Sequence, residues 1–253
     1  MRIALMVFRM LFRINYYMHG IRKAARKGND YENGARATRR AVIRVNRAGR
    51  VKIETEGIEN LPKQDGFLIT PNHQGMFDVL ALYEAIENPF SFVMKKEAMN
   101  WPLVKSVRKA TCSLAMDRSD VRQSMKVILD VTSALEQGRN FVIFPEGTRS
   151  KMGNRMNEMK AGSFKAACKA QAPIVPVALV DSFKPFDEQS IKKTTVHVFI
   201  LPALCYDEYK DMSTQEIATL VRGRIEERIS SYLKAAGREQ ELQVRESEQE
   251  VEE

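Results

Sequence analysis

Few residues in this sequence could build a disulfide framework or a metal site. Its 253 residues include three cysteines and three histidines. Cys112, Cys168 and Cys205 are far apart and form no Cys-x-x-Cys pair. This odd, scattered set argues against disulfide bridges and against structural zinc. We expect the cysteines to be small core residues in a reducing, cytoplasmic setting, and we expect no bound metal.

A second absence is an uninterrupted apolar run long enough to cross a bilayer, which takes about 20 residues. The opening stretch MRIALMVFRMLFRINYYMHG is mostly apolar but contains Arg2, Arg9 and Arg13. On a helical wheel these arginines lie in one stripe about 40° wide, surrounded by apolar residues. Such a helix is typical of a segment that lies in or dips into a membrane. Packing against the protein's own core is the alternative, and whether residues 3–18 span the bilayer stays open.

The net charge of +8 is distributed unevenly. Residues 1–52 hold fourteen Lys and Arg against two acids, residues 239–253 hold seven Glu against one Arg, and the middle is nearly neutral. We expect basic amphipathic membrane-binding helices at 1–50, an α/β domain at 51–236 and an acidic, disordered tail at 237–253. A nucleic-acid-binding arm is the alternative for the basic segment. The preceding apolar helix favours lipid, at the cytoplasmic face of the cell membrane, as a peripheral or monotopic protein.

Short apolar runs alternate with helical periods from residue 51 onward. This alternation predicts an α/β fold: one mostly parallel sheet of about seven strands, flanked by helices. The strands are expected at 51–56, 66–70, 90–94, 112–116, 140–144, 174–180 and 195–201. The helices are expected at 77–87, 101–110, 120–137, 160–170 and 213–236.

Two polar clusters follow predicted strands, where α/β folds tend to bind ligands. In FVIFPEGTRS, Pro145 ends the strand and Gly147 permits a tight turn whose N–H groups can point at an anion. Arg149 then offers a planar fork that matches phosphate oxygens. The alternative is a surface turn in which Glu146 and Arg149 form a solvated pair.

The other cluster, FLITPNHQGMFD, places His73 and Asp78 five residues apart. On a continuous helix this spacing is wrong for two ligands of one metal. If His73 lies in the turn and Asp78 in the first helical turn, the carboxylate can orient the imidazole as a general base. A merely capped helix, with Asn72 or Asp78 as N-cap, is the alternative. Because the chain has no Gly-x-Ser-x-Gly elbow, the nucleophile is expected to come from the substrate.

Ordered blocks between residues 60 and 180 resemble the 1-acyl-sn-glycerol-3-phosphate acyltransferases, within the wider glycerolipid acyltransferases. The Asn-His-four residues-Asp motif and the Phe-Pro-Glu-Gly-Thr-Arg-Ser motif are both present, in family order. The matching residues are Asn72, His73 and Asp78, then Phe92, Val93, Lys95 and Glu97, then Met116, Asp117 and Arg118, then Phe144–Ser150 and Val175–Val177.

The resemblance implies transfer of a fatty acyl group from a thioester to the sn-2 hydroxyl of a lysophosphatidate, giving phosphatidic acid. It makes His73 the base, oriented by Asp78, with no cofactor beyond the acyl-CoA or acyl-acyl carrier protein co-substrate. The acceptor phosphate would be held by Arg149, Lys95 and backbone N–H groups of Gly147 and Thr148.

Several points stay open within this resemblance. Arg118 is a further phosphate candidate, unless it pairs on the surface with Asp117 or Asp120. Glu146 either holds Arg149 in place or contacts the headgroup. Many members have Ser where this chain has Gly75. The acyl donor, the chain length, the oligomeric state and the acceptor are also open, with glycerol 3-phosphate or another lysophospholipid as alternative acceptors.

Overall fold

The computed structural model describes residues 1–11, 13–26 and 30–243. In this part of the chain seven strands form one sheet in the order β1-β7-β6-β2-β5-β3-β4, and every neighbouring pair is parallel except β6 with β7. The strands are β1 (Val51–Glu56), β2 (Leu68–Pro71), β3 (Phe90–Lys95), β4 (Leu114–Met116), β5 (Asn140–Val142), β6 (Ile174–Val180) and β7 (Thr194–Ile200). The predicted mostly parallel, seven-stranded sheet is confirmed.

Helices cover both faces of the sheet. They are α1 (Arg2–Met10), α2 (Ile14–Arg26), α3 (Tyr31–Ala48), α4 (Asp78–Ala85), α5 (Pro102–Ala110), α6 (Val121–Glu136), α7 (Lys165–Ala170), α8 (Lys184–Asp187), α9 (Tyr206–Tyr209) and α10 (Thr214–Ala235). Successive residues of a strand point to opposite faces of the sheet and therefore pack into two different hydrophobic cores. Leu68 packs with α6, α7 and α10, while Ile69 packs with α3, α4 and α5. This follows from the two-residue period of a strand.

The predicted elements are present, with shifted ends. The strand expected at 140–144 ends at Val142, because the Phe144 carbonyl already accepts the Gly147 N–H (3.0 Å) and closes a turn. The helix expected at 160–170 is a 3₁₀ turn followed by α7. Helices α8 and α9 were not predicted, since four residues are too few to show a helical period.

The N-terminal segment shares one packed structure with the α/β body. Gly34 of α3 lies so close to the backbone of Ala110 that no side chain fits between them. Asn46, which is buried, donates to Glu84 Oε2 (2.7 Å) and to the Leu80 carbonyl (3.3 Å) of α4. The expected division at residue 50 therefore does not separate two independently packed units.

Arg2 attaches α1 to this body. Its guanidinium is buried and donates to the carbonyls of Pro185 (3.1 Å), Gly49 (2.8 Å) and Lys192 (2.9 Å) and to Thr194 Oγ1 (2.7 Å). The apolar side chains on the other side of α1 are exposed, namely Ile3, Val7, Phe8 and Leu11. Among the described residues no helix has both the length and the apolar character needed to cross a bilayer.

The expected disordered tail was wrong at its start. Residues 239–242 form a short 3₁₀ turn, and the Arg238 side chain makes four hydrogen bonds to carboxylate oxygens. The composition suggested disorder because it offers few apolar residues, yet this segment packs through charge. The rest of the predicted tail, from residue 244, lies outside the described residues.

Candidate active site

The two polar clusters meet at one edge of the sheet. Strands β2 and β5 are parallel neighbours, so the turns that follow them lie side by side. The first turn contains His73 and the second contains Glu146 to Arg149. A hydrogen bond from the Ser150 N–H to the His73 carbonyl (2.8 Å) joins the two turns. The predicted placement of both clusters at carboxyl ends of strands is confirmed.

His73 and Asp78 form a hydrogen-bonded pair. Nδ1 of His73 lies 2.7 Å from Oδ2 of Asp78, whose side chain is fully buried, and the His73 side chain is one-fifth exposed. The ring stacks on Phe144, with 4.2 Å between centroids. An ionised carboxylate only accepts hydrogen bonds, so Nδ1 carries the proton of the neutral imidazole. The Nε2 lone pair is then the basic position of this ring.

Asp78 occupies the first turn of α4 and is held by the backbone before it. Oδ2 accepts the N–H groups of Gln74 (2.8 Å) and Gly75 (3.0 Å) in addition to the histidine. The positive end of the helix dipole also favours a carboxylate here. These donors fix the carboxylate so that it orients the ring. The alternative of a capped helix without a paired histidine was wrong.

Glu146 is buried and joins two backbone segments. Its Oε1 accepts the His73 N–H (2.6 Å) and its Oε2 accepts the Asn157 N–H (2.8 Å). Burial raises the pKa of Glu146 to about 7, an effect opposed by those two hydrogen bonds and reinforced by the Asp78 charge. Glu146 forms no ion pair with Arg149 among the described residues, so the solvated pair and the role of holding Arg149 were wrong. Its contact with the substrate headgroup stays a prediction. The carboxylate instead positions the backbone of His73.

The residues on either side of His73 are fastened to β6. Asn72 donates to the Leu179 carbonyl (3.1 Å) and accepts the Leu179 N–H (2.7 Å). Gln74 donates to the same carbonyl (2.9 Å) and accepts the Ser182 N–H (2.8 Å). Both amide side chains are buried. The turn is therefore held at three successive residues.

Arg149 and Lys160 are cations that lie in the β5 turn and in the chain that follows it. Arg149 is partly buried, and among the described residues it makes no ion pair with a carboxylate. The Lys160 side chain lies over Gly147, where a Cβ would be 3.3 Å from Nζ. Gly147 has φ 75, as the turn requires, and its N–H already donates to Phe144. The Gly147 N–H is therefore engaged within the turn, whereas Thr148 is exposed. Phosphate contacts from the N–H groups of these two residues stay predictions.

Lys95 and Arg118 lie farther along the same edge. Lys95 ends β3, two strands from β2 and therefore about 10 Å away at ordinary strand spacing. Its Nζ is 3.5 Å from Glu97. Arg118 follows β4, one strand farther out, and is exposed. Asp117 pairs with Lys96 (3.2 Å) and Asp120 caps α6, so the expected surface pair for Arg118 was wrong. The two cations lie at or after the ends of strands β3 and β4, whereas Arg149 lies in the turn that is hydrogen-bonded to the His73 turn through Ser150.

Sequence reasoning missed Gln74, Asn154 and Lys160. Gln74 sits inside the matched block, so its position beside His73 was a usable signal. Nothing in the sequence indicated that Asn154 would accept from Gln74 Nε2 (2.9 Å), because the two residues are 80 positions apart. Lys160 lies outside every motif that the sequence indicated.

The fold and the site define an α/β protein with a histidine–aspartate pair and, in the adjoining turn, an arginine that has no carboxylate partner among the described residues. A family model described as Acyltransferase matches residues 52–180, which is about half of the chain. The chain therefore belongs to the acyltransferase family.

Three curated relatives are named as 1-acyl-sn-glycerol-3-phosphate acyltransferases. The chain is 26% identical over 183 residues to the 1-acyl-sn-glycerol-3-phosphate acyltransferase of Borreliella burgdorferi, covering 72% of this chain and 73% of that protein. It is 30% identical over 164 residues to the protein of that name from Helicobacter pylori, covering 65% and 68%. For the one from Chlamydomonas reinhardtii the identity is 29% over 176 residues, and the chain spans about half of it, 52%.

One solved structure has the same fold. It is the 1-acyl-sn-glycerophosphate acyltransferase of Thermotoga maritima, with a TM-score of 0.72 and 19% sequence identity. The similarity covers 92% of this chain and 98% of the other, so it includes more than the family match.

The buried Glu146 predicts a specific pH dependence of stability. Its pKa is about 7 in the fold against an ordinary value of 4.5, so the folded protein binds this proton more tightly than the unfolded chain. The associated stabilisation is present below pH 4.5 and is lost as pH rises through 7, by about 3 kcal/mol. The glutamine of Glu146→Gln cannot ionise. The free energy of unfolding of this variant, relative to that of the wild type, should therefore increase by about 3 kcal/mol between pH 5 and 8.

Urea unfolding of both proteins at pH 5, 6, 7 and 8 measures this difference. Glu158→Gln is the matched control, since Glu158 is 81% exposed and belongs to the same loop region. A Glu146→Gln difference that stays constant over this range would contradict the burial argument.

Proposed function

We propose that this protein transfers a fatty acyl group from an acyl thioester to the sn-2 hydroxyl of 1-acyl-sn-glycerol 3-phosphate, giving phosphatidic acid. The observation that carries the proposal is the oriented His73–Asp78 pair beside Arg149, which has no carboxylate partner among the described residues. A base next to an unpaired cation suits a substrate with both a hydroxyl and a phosphate. The names of the curated relatives support the same reaction.

In this proposal Nε2 of His73 takes the hydroxyl proton as the acceptor oxygen attacks the thioester carbonyl. The new C–O bond forms, and the C–S bond then breaks. The departing thiolate takes the proton back from the imidazolium, so the enzyme returns to its starting state. Asp78 holds the ring by Nδ1 and stabilises the imidazolium while it carries the charge. No side chain of the protein becomes acylated.

Arg149 and Lys160 are the proposed ligands of the acceptor phosphate. A guanidinium can bind two phosphate oxygens at once, and an ammonium adds a point charge. Thr148, which directly precedes Arg149 in the β5 turn, is a further proposed phosphate contact. Lys95 and Arg118 are proposed contacts for more distant parts of the substrates, because β3 and β4 lie farther from His73. The donor would be acyl-CoA or acyl-acyl carrier protein. No further cofactor is proposed.

Helix α1 is the proposed contact with the bilayer. Val7 and Phe8 are 50% and 75% exposed, while Arg2 holds the other side of the helix in the body. An amphipathic surface of this kind binds at the membrane interface, and nearby Lys and Arg add attraction to anionic lipid. We propose that this binding occurs at the cytoplasmic face of the cell membrane.

Purified protein assayed with a panel of labelled acyl donors and acceptors tests the activity. We expect phosphatidic acid from lysophosphatidate, with products resolved by mass. Preferred acylation of glycerol 3-phosphate or of another lysophospholipid would move the proposal to that acceptor. A mobility shift with nucleic acid, in place of vesicle binding at the same salt concentration, would contradict the proposal as a whole.

Removing the base should abolish the reaction. His73→Ala is expected to lose at least the roughly 100- to 10,000-fold that a general base contributes. Asp78→Asn should also be severe, because an amide does not stabilise the imidazolium as a carboxylate does. Single-turnover rates of folded variants measure both effects. More than about a tenth of wild-type activity in either variant would show that the base is elsewhere.

Arg149→Lys should weaken the acceptor more than the donor. Lysine keeps the charge but loses the two-pronged geometry, so the KM for lysophosphatidate should rise by about tenfold or more. The KM for the thioester should change little. Arg122→Lys, an exposed arginine on α6, is the matched control. A selective rise in the KM of the donor would instead assign Arg149 to the coenzyme or carrier.

Replacing Val7 and Phe8 by serine should reduce membrane association. Losing these two apolar surfaces removes roughly 3 kcal/mol of burial in lipid, which is at least tenfold in partitioning. Vesicle flotation at low and high salt measures it, together with turnover of vesicle-embedded and soluble short-chain substrates. We expect only the vesicle reaction to fall.

Val121→Ser with Met125→Ser is the matched control for that experiment, because these α6 side chains are equally exposed, at 73% and 64%. Unchanged flotation of the α1 variant, or an equal loss in the α6 variant, would contradict the assignment of α1 as the bilayer contact.

A further inference from the structure

A cluster of charges lies behind the catalytic turn, where the end of the described chain meets the end of β6. The Arg238 guanidinium donates two hydrogen bonds to Asp181 (2.8 and 2.7 Å) and two to Glu241 (2.6 and 2.9 Å). Asp181 is buried and adopts a left-handed backbone, with φ 63. Burial acts to raise the pKa of Asp181, but hydrogen bonds from Arg238 and Asn154 hold it below its ordinary value. The carboxylate is therefore kept ionised inside the protein.

Asn154 connects this cluster to the active site. Its buried Nδ2 donates to Asp181 Oδ1 (3.0 Å) and to Glu241 Oε2 (2.8 Å). Its Oδ1 accepts the Asp181 N–H (2.8 Å) and Gln74 Nε2 (2.9 Å). All the hydrogen-bonding positions of the amide are used, so it can adopt only one orientation.

Gln74 completes the connection to the base. Its side chain is bound to Asn154, to the Leu179 carbonyl and to the Ser182 N–H, and its own N–H donates to the Asp78 carboxylate that orients His73. A buried amide cannot turn without leaving a polar atom unpaired, which costs about 1–3 kcal/mol. The position of this side chain therefore sets the position of the N–H that Asp78 binds.

We propose that Arg238 is a positioning residue for His73, acting through Asn154 and Gln74. This inference rests on the proposed role of His73 as the catalytic base. The guanidinium bridges the carboxylates of Asp181 and Glu241, which share the Asn154 amide. Without it, two negative charges repel each other across one amide, and Asn154 loses the orientation in which it receives Gln74.

The surroundings of Arg238 indicate that its replacement should disturb the turn that contains His73 more than it lowers the stability of the whole fold. Lys184 Nζ lies 3.1 Å from Asp181 Oδ1 and still compensates that carboxylate when Arg238 is replaced. The Arg238 side chain is 24% exposed, so its replacement leaves the apolar core of the sheet in place. The variant is therefore expected to fold while its catalytic turn loosens.

Arg238→Gln tests the proposal with two measurements on the full chain. Hydrogen–deuterium exchange should be at least tenfold faster in residues 72–78, where Gln74 and Gly75 donate to Asp78. With a short-chain donor and lysophosphatidate, kcat should fall on the order of tenfold to a hundredfold, as for a misplaced catalytic group. Both KM values should stay within about twofold. Arg238→Lys should restore only part of kcat, since it keeps the charge but not the fork.

Arg228→Gln is the matched control, because Arg228 lies on α10 and pairs with Glu56 (2.6 Å) away from the turn. It should lower the melting temperature without changing exchange in residues 72–78 or kcat. Glu241→Ala is a second variant for the case in which Arg238→Gln folds poorly. It removes the carboxylate that both Arg238 and Asn154 bind, so it should loosen the same turn.

The hydrogen–deuterium exchange measurement tests the role of Arg238 even when no acyltransferase activity is detected. Faster exchange confined to residues 236–243, with residues 72–78 as in wild type, would overturn it. A wild-type kcat in a folded Arg238→Gln protein with wild-type exchange in the turn would do so as well. Failure of the wild-type protein to acylate lysophosphatidate would instead contradict the proposed function, and the exchange result would still stand.

Discussion

The geometry of the candidate active site depends most on one hydrogen bond, from the His73 N–H to the buried carboxylate of Glu146 (2.6 Å). Together with the bond from the Ser150 N–H to the His73 carbonyl, it joins the turn after β2 to the turn after β5 and so brings His73 and Arg149 into one site. Burying a carboxylate is unfavourable, and the two N–H groups that it accepts offset only part of that penalty, so the pKa of Glu146 stays high. The buried Glu146 side chain thus costs free energy, and it lies where the turns after β2 and β5 have to be held in a fixed arrangement.

The sequence predicted the His73–Asp78 pair because its two members are local. His73 and Asp78 are five residues apart, and strand, turn and helix rules suffice to bring them together. The role of Glu146 depends on which N–H groups lie opposite, and these come from residues 73 positions before it and 11 positions after it. Seven strands were predicted by the same local rules. Their order across the sheet, and the polar side chains that lie behind the turn, are tertiary consequences that no local pattern encodes.

Two glycines of the candidate site lie close to neighbouring parts of the chain. A Cβ on Gly75 would lie 3.2 Å from the Cα of Phe183, and one on Gly147 would lie 3.3 Å from the end of Lys160. The first contact is with backbone, which moves less readily than a lysine side chain. Gly75 is therefore favoured by the close approach of the chain before α8, and a serine here would require a small shift of Phe183. The difference at this position reflects packing behind the turn as well as any lost hydroxyl.

The same short helix connects the catalytic turn to the proposed bilayer contact. Arg2 of α1 donates to the Pro185 carbonyl in α8. Phe186 of α8 packs edge-on against Phe77, with 5.3 Å between centroids, and Phe77 directly precedes Asp78. The helix proposed to rest on lipid is thus one element away from the carboxylate that binds His73. Because interiors are close-packed and transmit displacement, the proposed bilayer contact would couple the depth of α1 in the membrane to the position of His73.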